Sequence, residues 1–472
     1  MRTRRWIGGA FLGAWLAASA VPAHGVWVGY DVDIPSPEAT GVVDGTLAAR
    51  IWTDGTSRYA AGAPAVVFVL GGESTGTLAQ QIPQAAGVVL VCFLFPGGVD
   101  VPSGRSSDGV YDFRGPASIA ALRDMALFAA GEVVTSGGQT ISEVVGLPVL
   151  TSGIGLLGSS NGGNIVLAAA AEHGAALADK LRWIVQWESP VSSQAAVGDN
   201  RGPRVDCSGG GGGLGDGQFG VNPRYLAYGA LTLDIDYSDV RFRPAEPDYP
   251  LFLDGDGDLV YTTVEVPGEP GCVTNDRDLD GTLELDEDYP LSAYPGAGGL
   301  EVYSRPLTDY LGAHPGVFGG PWPAWIATAA VATLYWDERE AVRLYELARA
   351  AMPQLFGLVI ASTVDHVQTD PGYFHIRQAF EGWRRAGAWV QINASPGYVH
   401  ALSPGATGLP ANPPNTAPAS WSDPSFTMPE SVSAGVSQAA AIYQLADRAR
   451  TVIAVDGFES GDFVGWSEAT FM

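Results

Sequence analysis

The middle of the chain contains a short apolar strand pattern, which is followed by a glycine-rich turn and then by an alanine-rich helix pattern. Residues 151–175 read TSGIGLLGSSNGGNIVLAAAAEHGA, with the turn at 158–163. A serine at the apex of such a turn is held in a strained backbone conformation, and the flanking glycines let strand and helix approach closely. The segment therefore predicts a strand, a sharp turn and a helix, with Ser160 as a candidate nucleophile.

The serine pentapeptide G-x-S-x-G occurs twice, because a chain with 62 glycines in 472 residues produces it by chance. The other copy, at 72–76, also follows a strand pattern, but a polar stretch and Pro83 come after it. An apolar helix pattern that can pack on a parallel sheet follows Ser160 instead. The context favours Ser160 over Ser74, and the alternative is that 158–163 is an ordinary glycine-rich turn.

The first 25 residues have the composition of a secretory signal peptide. Arg2, Arg4 and Arg5 precede an apolar run from Trp6 to Leu16, and small residues follow. The run is shorter than the roughly 20 residues that a membrane-spanning helix needs. We expect an exported protein, secreted or periplasmic, without a membrane span in the mature chain.

The net charge of −26 argues against nucleic acid or an anionic membrane surface as a partner, since both would be repelled. Such acidity suits solubility in salt or bound cations. The three cysteines exclude a scaffold held by several disulfides. Cys207 and Cys272 either form one disulfide or stay free, and Cys92 lies in the apolar run VVLVCFLF. The oligomeric state is not readable from the sequence.

Strand and helix patterns alternate along most of the chain, which is typical of α/β proteins. VWVGYDVDI and GTLAARIW look like antiparallel edge strands, whereas AVVFVL and GVVLVCFLF look like buried parallel strands. The alternation fails after the sixth core strand, LRWIVQWESP, and resumes near 324. We predict a mostly parallel sheet with helices on both faces and a large irregular insertion after the sixth core strand. The predicted units are a signal peptide at 1–25, a core at 26–190 and 324–450, an insertion at 191–323 and a tail at 451–472.

This order of elements and the serine motif resemble the α/β-hydrolase fold over 26–190 and 324–450. The resemblance implies a serine nucleophile after strand five, an acid after strand seven and a histidine after strand eight. The matching residues are Ser160, Asp365 in VIASTVDHVQTDPG, and His400 beyond AWVQIN, with Asp370 as a second candidate acid. The alternatives are a helix-capping aspartate and a solvated loop histidine.

Acyl transfer also needs hydrogen-bond donors for the oxygen that becomes negative in the transition state. One donor is expected to be the backbone N–H of Asn161. The turn after strand three resembles the family's glycine-rich oxyanion turn but lacks the preceding histidine, so Gly72 or Glu73 marks a position that is otherwise a plain loop. Trp187 ends the strand after the nucleophile helix and is either an aromatic wall for the substrate or part of the core.

The acidic stretch DRDLDGTLELDE at 276–287 matches a calcium-binding loop. A second run, Asp254-x-Asp256-x-Asp258, lacks the glycine that the calcium-loop pattern has at its sixth position, and it is a weaker match. Both are solvated acidic turns in the alternative reading. We expect structural Ca²⁺, with no cofactor for catalysis. The predicted ligands of the first loop are Asp276, Asp278, Asp280, Thr282, Glu284 and Glu287.

The leading functional hypothesis is an exported serine hydrolase that cleaves carboxylic esters, small or polymeric, through an acyl-enzyme. The SNGG after Ser159 also resembles the prolyl-oligopeptidase-like branch, which makes a serine peptidase the second hypothesis; no propeller-length region precedes the core, which weakens it. The third is a non-catalytic, calcium-stabilised extracellular binding protein on a hydrolase scaffold. Acyl and alcohol specificity are not readable, because the insertion has no recognisable motif.

Overall fold

The structure of the protein is a computed structural model. It describes residues 26–72, 74–204, 219–245, 249–267, 273–280, 282–365, 367 and 372–459. The predicted signal peptide, Glu73, Asp370, the cysteines Cys207 and Cys272 and the end of the tail lie outside the described residues.

One eight-stranded sheet forms the centre of the described chain, in the order β1-β2-β4-β3-β5-β6-β7-β8. Strands β1 and β2 are antiparallel to their neighbours, and β4, β3 and β5 to β8 are parallel to one another. This confirms the mostly parallel sheet and the antiparallel direction of the first two strands, although only β1 lies at an edge, since β2 pairs with β4. It fits the α/β-hydrolase-like fold that the sequence resembles. The strands are β1 Val28–Pro35, β2 Thr46–Thr53, β3 Ala63–Val69, β4 Val89–Phe93, β5 Val149–Ser159, β6 Leu181–Trp187, β7 Phe356–Ile360 and β8 Val390–Ile392.

Both faces of this sheet are covered, and strands β3 and β4 are accordingly apolar at every position. Every residue of β3 and of β4 is buried. Val67 and Val69 belong to the core that contains helices α1 (Pro116–Ala129), α2 (Gly162–Glu172) and α3 (Phe374–Arg385). Val66 and Phe68 face the opposite core, which contains helices α4 (Pro396–Leu402) and α5 (Ala434–Glu459).

The remaining helices are short and connect or flank the larger elements. They are Pro37–Thr40, Ile141–Val145, Gly174–Leu177, Ser193–Val197, Arg305–Ala313, Ala329–Asp337 and Tyr345–Ala351, with 3₁₀ turns at Ala297–Gly299, Pro315–Phe318, Ala341–Arg343 and Pro424–Phe426. A two-stranded ribbon pairs Val99–Asp100 with Arg105–Ser106. In the part of the chain that the structure describes, no helix is long and apolar enough to cross a membrane.

Between β6 and β7 the chain forms short antiparallel strands in separate small sheets. A cluster of buried residues, including Tyr237, Leu251 and Tyr289, gives this segment a core of its own. Short strands and frequent turns agree with the irregular pattern of the sequence here. The strands are Arg201–Arg204, Phe219–Val221, Tyr225–Tyr228, Leu233–Ile235, Val240–Phe242, Leu251–Leu253, Val264–Glu265, Val273–Thr274, Tyr289–Pro290, Tyr294–Pro295 and Glu301–Val302.

Candidate active site

Ser160 lies at the tip of the turn between β5 and α2, in a backbone conformation that a residue with a side chain rarely adopts. Its φ is 48°, in the left-handed region. Its N–H donates to the carbonyl of Trp187 at 2.8 Å, and its own carbonyl accepts from Gly163 N–H at 2.9 Å. A strained residue of this kind persists only where the surrounding structure imposes it.

The glycines of this turn allow backbone contacts that a Cβ atom would prevent. A Cβ on Gly158 would lie 2.4 Å from the carbonyl carbon of Gly162, and one on Gly162 would lie 2.4 Å from the carbonyl oxygen of Val69. On Gly163 it would lie 2.1 Å from the hydroxyl of Ser189. The glycines therefore fix how closely α2 approaches the sheet, and with it the position of Ser160.

The turn after β3 lies against the serine, as the resemblance implied. A Cβ on Gly71 would lie 2.6 Å from Ser160 Cβ. Asn161 Nδ2 donates to the carbonyl of Gly72 at 3.4 Å, and the hydroxyl of Tyr294 contacts both residues. The structure thus brings Ser160, Asn161 and Gly72 together.

Arg114, which the sequence did not point to, holds the turn after β3 in place. The side chain is buried, and its Nη2 donates to the carbonyls of Leu70 at 2.6 Å and Ser74 at 3.0 Å. Its φ of 67° is also left-handed. A lone arginine just before a helix pattern gives no signal in the sequence for such a contact.

Ser74 is placed differently from Ser160. Its hydroxyl donates to the carbonyl of Gly76 at 3.0 Å and accepts from the N–H of Gly76 at 3.1 Å. This local hydrogen bonding is that of a turn-stabilising serine.

Trp187 is the last residue of β6, and its carbonyl accepts the N–H of Ser160. Its side chain is half-buried and packs against the core on the α5 face of the sheet. The indole therefore contributes to that core, while the backbone of Trp187 lies beside the serine.

His400 is not where the resemblance implied. It lies in helix α4, which begins with Pro396 at a favoured first helical position, instead of in a loop. Tyr398 of this helix donates to Asp447, which also binds Arg58 and Tyr59 ahead of β3. Helix α4 thus leads toward the amino ends of the parallel strands, whereas Ser160 lies at their carboxyl ends. His400 is exposed, and assigning it as the partner of Asp365 was wrong.

Asp365 pairs with His375 instead. Its Oδ2 lies 2.9 Å from His375 Nε2, and both side chains are fully buried. Its Oδ1 accepts the N–H of Val367 at 2.7 Å. His375 Nδ1 has no hydrogen-bond partner within the described structure. His375 is the second residue of α3, and its position in a helix pattern concealed the pairing.

The first predicted calcium loop brings its leading aspartates together. One carboxylate oxygen from each of Asp276, Asp278 and Asp280 lies within 4.8 Å of the others. Each also accepts a backbone N–H, from Leu279, Asp280 and Thr282 respectively. Glu287 binds the backbone of its own loop, accepting Glu284 N–H at 3.0 Å. Oxygen atoms at this density are the ligands that calcium prefers.

The second predicted run forms a comparable group with a different third member. Asp254 and Asp256 gather with Asp288, again within 4.8 Å. Asp258 is not in the group; its Oδ1 accepts Val260 N–H at 2.7 Å. The structure therefore places Asp288, from 30 residues further along the chain, beside Asp254 and Asp256 in the position that was predicted for Asp258.

A pocket of about 450 Å³ lies between the core and the 191–323 segment, away from the serine. It contains none of the predicted site residues. Its walls include Ser192, Leu231, Arg305, Glu340 and Arg385. Arg305 and Glu340 form an ion pair at 2.8 Å, so opposite charges offset one another there.

No family model and no curated protein matches the sequence. Among solved structures, part of the chain is similar to the Pyrobaculum calidifontis esterase, at 19% identity over 35% of this chain and 46% of that one, with a TM-score of 0.24. A thermostable carboxylesterase from a metagenomic library is 18% identical over 35% of this chain and 48% of that one, with a TM-score of 0.24. A bacterial heroin esterase is 13% identical over 37% of this chain and 49% of that one, with a TM-score of 0.25. The chain thus spans just under half of each structure. With TM-scores this low, the α/β-hydrolase-like fold rests on the sheet order and the serine turn.

Proposed function

We propose that the protein is a serine hydrolase that cleaves carboxylic esters through an acyl-enzyme on Ser160. The supporting observation is the left-handed backbone of Ser160 at the tip of a strand–turn–helix junction. Nothing in the packing of a plain turn requires a serine there, since glycine adopts φ > 0 at lower cost. The strain places the hydroxyl beyond the sheet, where a substrate carbonyl reaches it.

In this mechanism Ser160 Oγ attacks the ester carbonyl while a base accepts its proton. The negative oxygen of the tetrahedral intermediate lies between Asn161 N–H and the turn at Gly72. Collapse releases the alcohol, which receives the proton from the base, and water then hydrolyses the acyl-enzyme by the same steps.

The base belongs to the loop after β7, which contains His366 and leads to His375. That loop follows the strand next to β6, whose carbonyl binds Ser160. His400 is exposed in helix α4, and His173 caps the far end of α2. His366 itself lies outside the described residues.

A fluorophosphonate probe tests the assignment of the nucleophile. Wild-type protein is expected to be labelled on the peptide that contains GLLGSSNGG, and Ser160→Ala is expected to lose the label. Ser74→Ala is the matched control and should retain it. Label retained on Ser160→Ala would show that another residue is the nucleophile and overturn the assignment. No label on the wild type would overturn the proposal and favour the binding-protein alternative.

The substrate class is tested with a panel of acyl esters and aminoacyl amides, which separates an esterase from a peptidase. Turnover of esters is expected.

The base is identified with alanine variants of His366, His375 and His400. Removing the base should lower kcat by several orders of magnitude. His400→Ala is expected to stay close to wild type.

We also propose that Ca²⁺ binds the acidic groups of the 191–323 segment and stabilises it. The residues that would hold it are Asp276, Asp278 and Asp280 in one group and Asp254, Asp256 and Asp288 in the other. The carboxylates within each group repel one another, and in the second group the ion pairs of Asp254 with Arg241 and of Asp256 with Arg277 offset part of this repulsion. No step of the hydrolysis needs this ion.

Chelation tests this calcium proposal. Saturating Ca²⁺ at about 100 times Kd should add roughly 2.7 kcal/mol to the stability of the unit that binds it. Excess chelator is therefore expected to lower Tm, and Asp276→Ala should show a lower Tm that calcium raises less than it raises that of the wild type, because one of the two groups is lost. Asp258→Ala, outside both groups, is the control and should respond like wild type. An unchanged Tm with chelator would contradict the proposal.

A further inference from the structure

We propose that Glu188, and not Asp365, is the carboxylate that positions the general base beside Ser160. This inference rests on the proposed function and adds a residue to its site. Glu188 directly follows β6, whereas the resemblance implies an acid after β7.

The backbone places Glu188 next to the serine. Ser159 is in register with Trp187 across β5 and β6, so Ser160 and Glu188 are the next residues of two neighbouring strands. On its other side, Glu188 N–H donates to Ile360 O at 3.0 Å, at the end of β7. Glu188 therefore lies at the carboxyl edge of the sheet, between Ser160 and the end of β7.

Glu188 shares the unusual backbone of Ser160. Three non-glycine residues with positive φ directly follow strands of the main sheet in the described chain: Ser160 at 48°, Glu188 at 46° and Asn393 at 58°. The role of Asn393 is visible, since its side chain accepts Ala361 N–H and donates to Phe426 O, both at 2.9 Å. Glycine would adopt this conformation at Glu188 with less strain, so folding alone does not require a glutamate there.

The carboxylate of Glu188 is buried as well as strained. The residue is 2% exposed, although glutamate is almost never fully buried without a partner. Ser362, in the loop after β7, donates its hydroxyl to Glu188 Oε1. This contact directs the carboxylate toward the same loop that leads to His366 and His375.

Asp365 is already committed elsewhere. One oxygen binds His375 Nε2 and the other binds Val367 N–H. With both side chains fully buried, this pair ties the loop to the start of α3. A carboxylate so occupied is a brace for the loop, which leaves the positioning role to Glu188.

In the reaction the proton of Ser160 Oγ moves to the base as the Oγ–carbon bond forms, and then to the departing alkoxide. Glu188 takes no proton in either step. Its negative charge stabilises the protonated imidazole and holds the ring in the productive orientation, which is the part that the acid plays in a triad.

The test is Glu188→Gln, which keeps the shape and the acceptor for Ser362 but removes the charge. We expect kcat/KM to fall by about 10³- to 10⁴-fold, mostly in kcat. The acidic limb of the pH profile should move to lower pH, because a base without the negative neighbour has a lower pKa. Glu188→Asp should recover part of the rate. Glu188→Gly, which relieves the backbone strain, should fold and remain slow.

Asp365→Asn is the comparison, and it is expected to lower Tm while moving the acidic limb much less. If Asp365→Asn moves the limb and Glu188→Gln leaves it in place, Asp365 is the positioning acid and the inference is overturned. Wild-type kinetics of Glu188→Gln overturn it too. Because Ser160→Ala labelling is measured separately, failure of the nucleophile and failure of Glu188 are distinguished.

Discussion

At Gly158, strand β5 and the first turn of α2 lie so close together that there is no room for a side chain. An added methyl group would lie 2.4 Å from backbone atoms of Gly162, which cannot move without shifting the nucleophile turn. We expect Gly158→Ala to destabilise the protein by about 1–3 kcal/mol, as overpacking does, in urea denaturation. The control is Gly397→Ala in α4, where nothing lies within 4 Å; helix propensity predicts a gain of about 0.5–1 kcal/mol there. Equal effects at the two positions would contradict this account.

Residues of the site differ in how far the sequence predicted them. The strand, turn and helix around Ser160 were visible in the sequence because the glycine spacing is local. The structure brings Asn161 and Gly72 to this turn, and their catalytic roles stay predictions. The histidine partner of Asp365 was not predicted, because histidine–carboxylate pairing depends on how loops fold back over the sheet edge. Glu188 was missed for the same reason: burial and a positive φ are properties of the folded chain.

The carboxylate of Asp447 links helix α5 to helix α4 and to the residues that precede β3. Asp447 accepts from Arg58 at 2.8 Å, from Tyr59 and from Tyr398 at 3.1 Å. Burial alone would raise its pKa, but the hydrogen bonds from Arg58 and Tyr59 outweigh burial and lower the pKa below its usual 3.8. A lowered pKa means that the stabilisation is present above pH 3.8 and is lost as the pH falls through the folded-state pKa.

Asp447→Asn is therefore expected to cost about 1–2 kcal/mol of unfolding free energy at pH 7, since a partly exposed charged hydrogen bond contributes this much. The difference from wild type should shrink below about pH 4. Denaturant titrations at pH 7 and pH 3 check it. Asp179→Asn, an exposed site, is the control and should show no such dependence. A gap that stays constant with pH would rule out the ionised carboxylate as the cause.

At the level of elements, continuous valine-rich runs predicted β3 and β4, and the alanine-rich stretch predicted α2, because both patterns reflect burial on the sheet. Helix α4 was predicted as a loop, although Pro396 after Ser395 is a common helix start. Its seven residues are too few for a helical period to show, and its packing against α5 decides its conformation.

At the scale of the whole molecule, the contact between the core and the 191–323 segment contains a buried aspartate. Asp199 follows the helix Ser193–Val197 and is 1% exposed. Its Oδ2 accepts from Tyr237 and Ser304, while its Oδ1 has no hydrogen-bond partner in the described structure. Burial raises the pKa of Asp199 from 3.8 to about 7, in spite of the two hydroxyl donors.

A raised pKa means that the unfolded chain loses this proton before the folded protein does. Stability from Asp199 is thus fully present below pH 3.8 and is lost as the pH rises toward 7, on the order of a few kcal/mol in total. Asp199→Asn keeps an acceptor for Tyr237 and Ser304 but cannot ionise, so it should be more stable than wild type at pH 8, with a gap that narrows toward pH 4. Thermal unfolding at both pH values measures this, with exposed Asp234→Asn as the control. A variant that is equally destabilised at both pH values would show that the carboxylate carries no ionisation penalty at this contact.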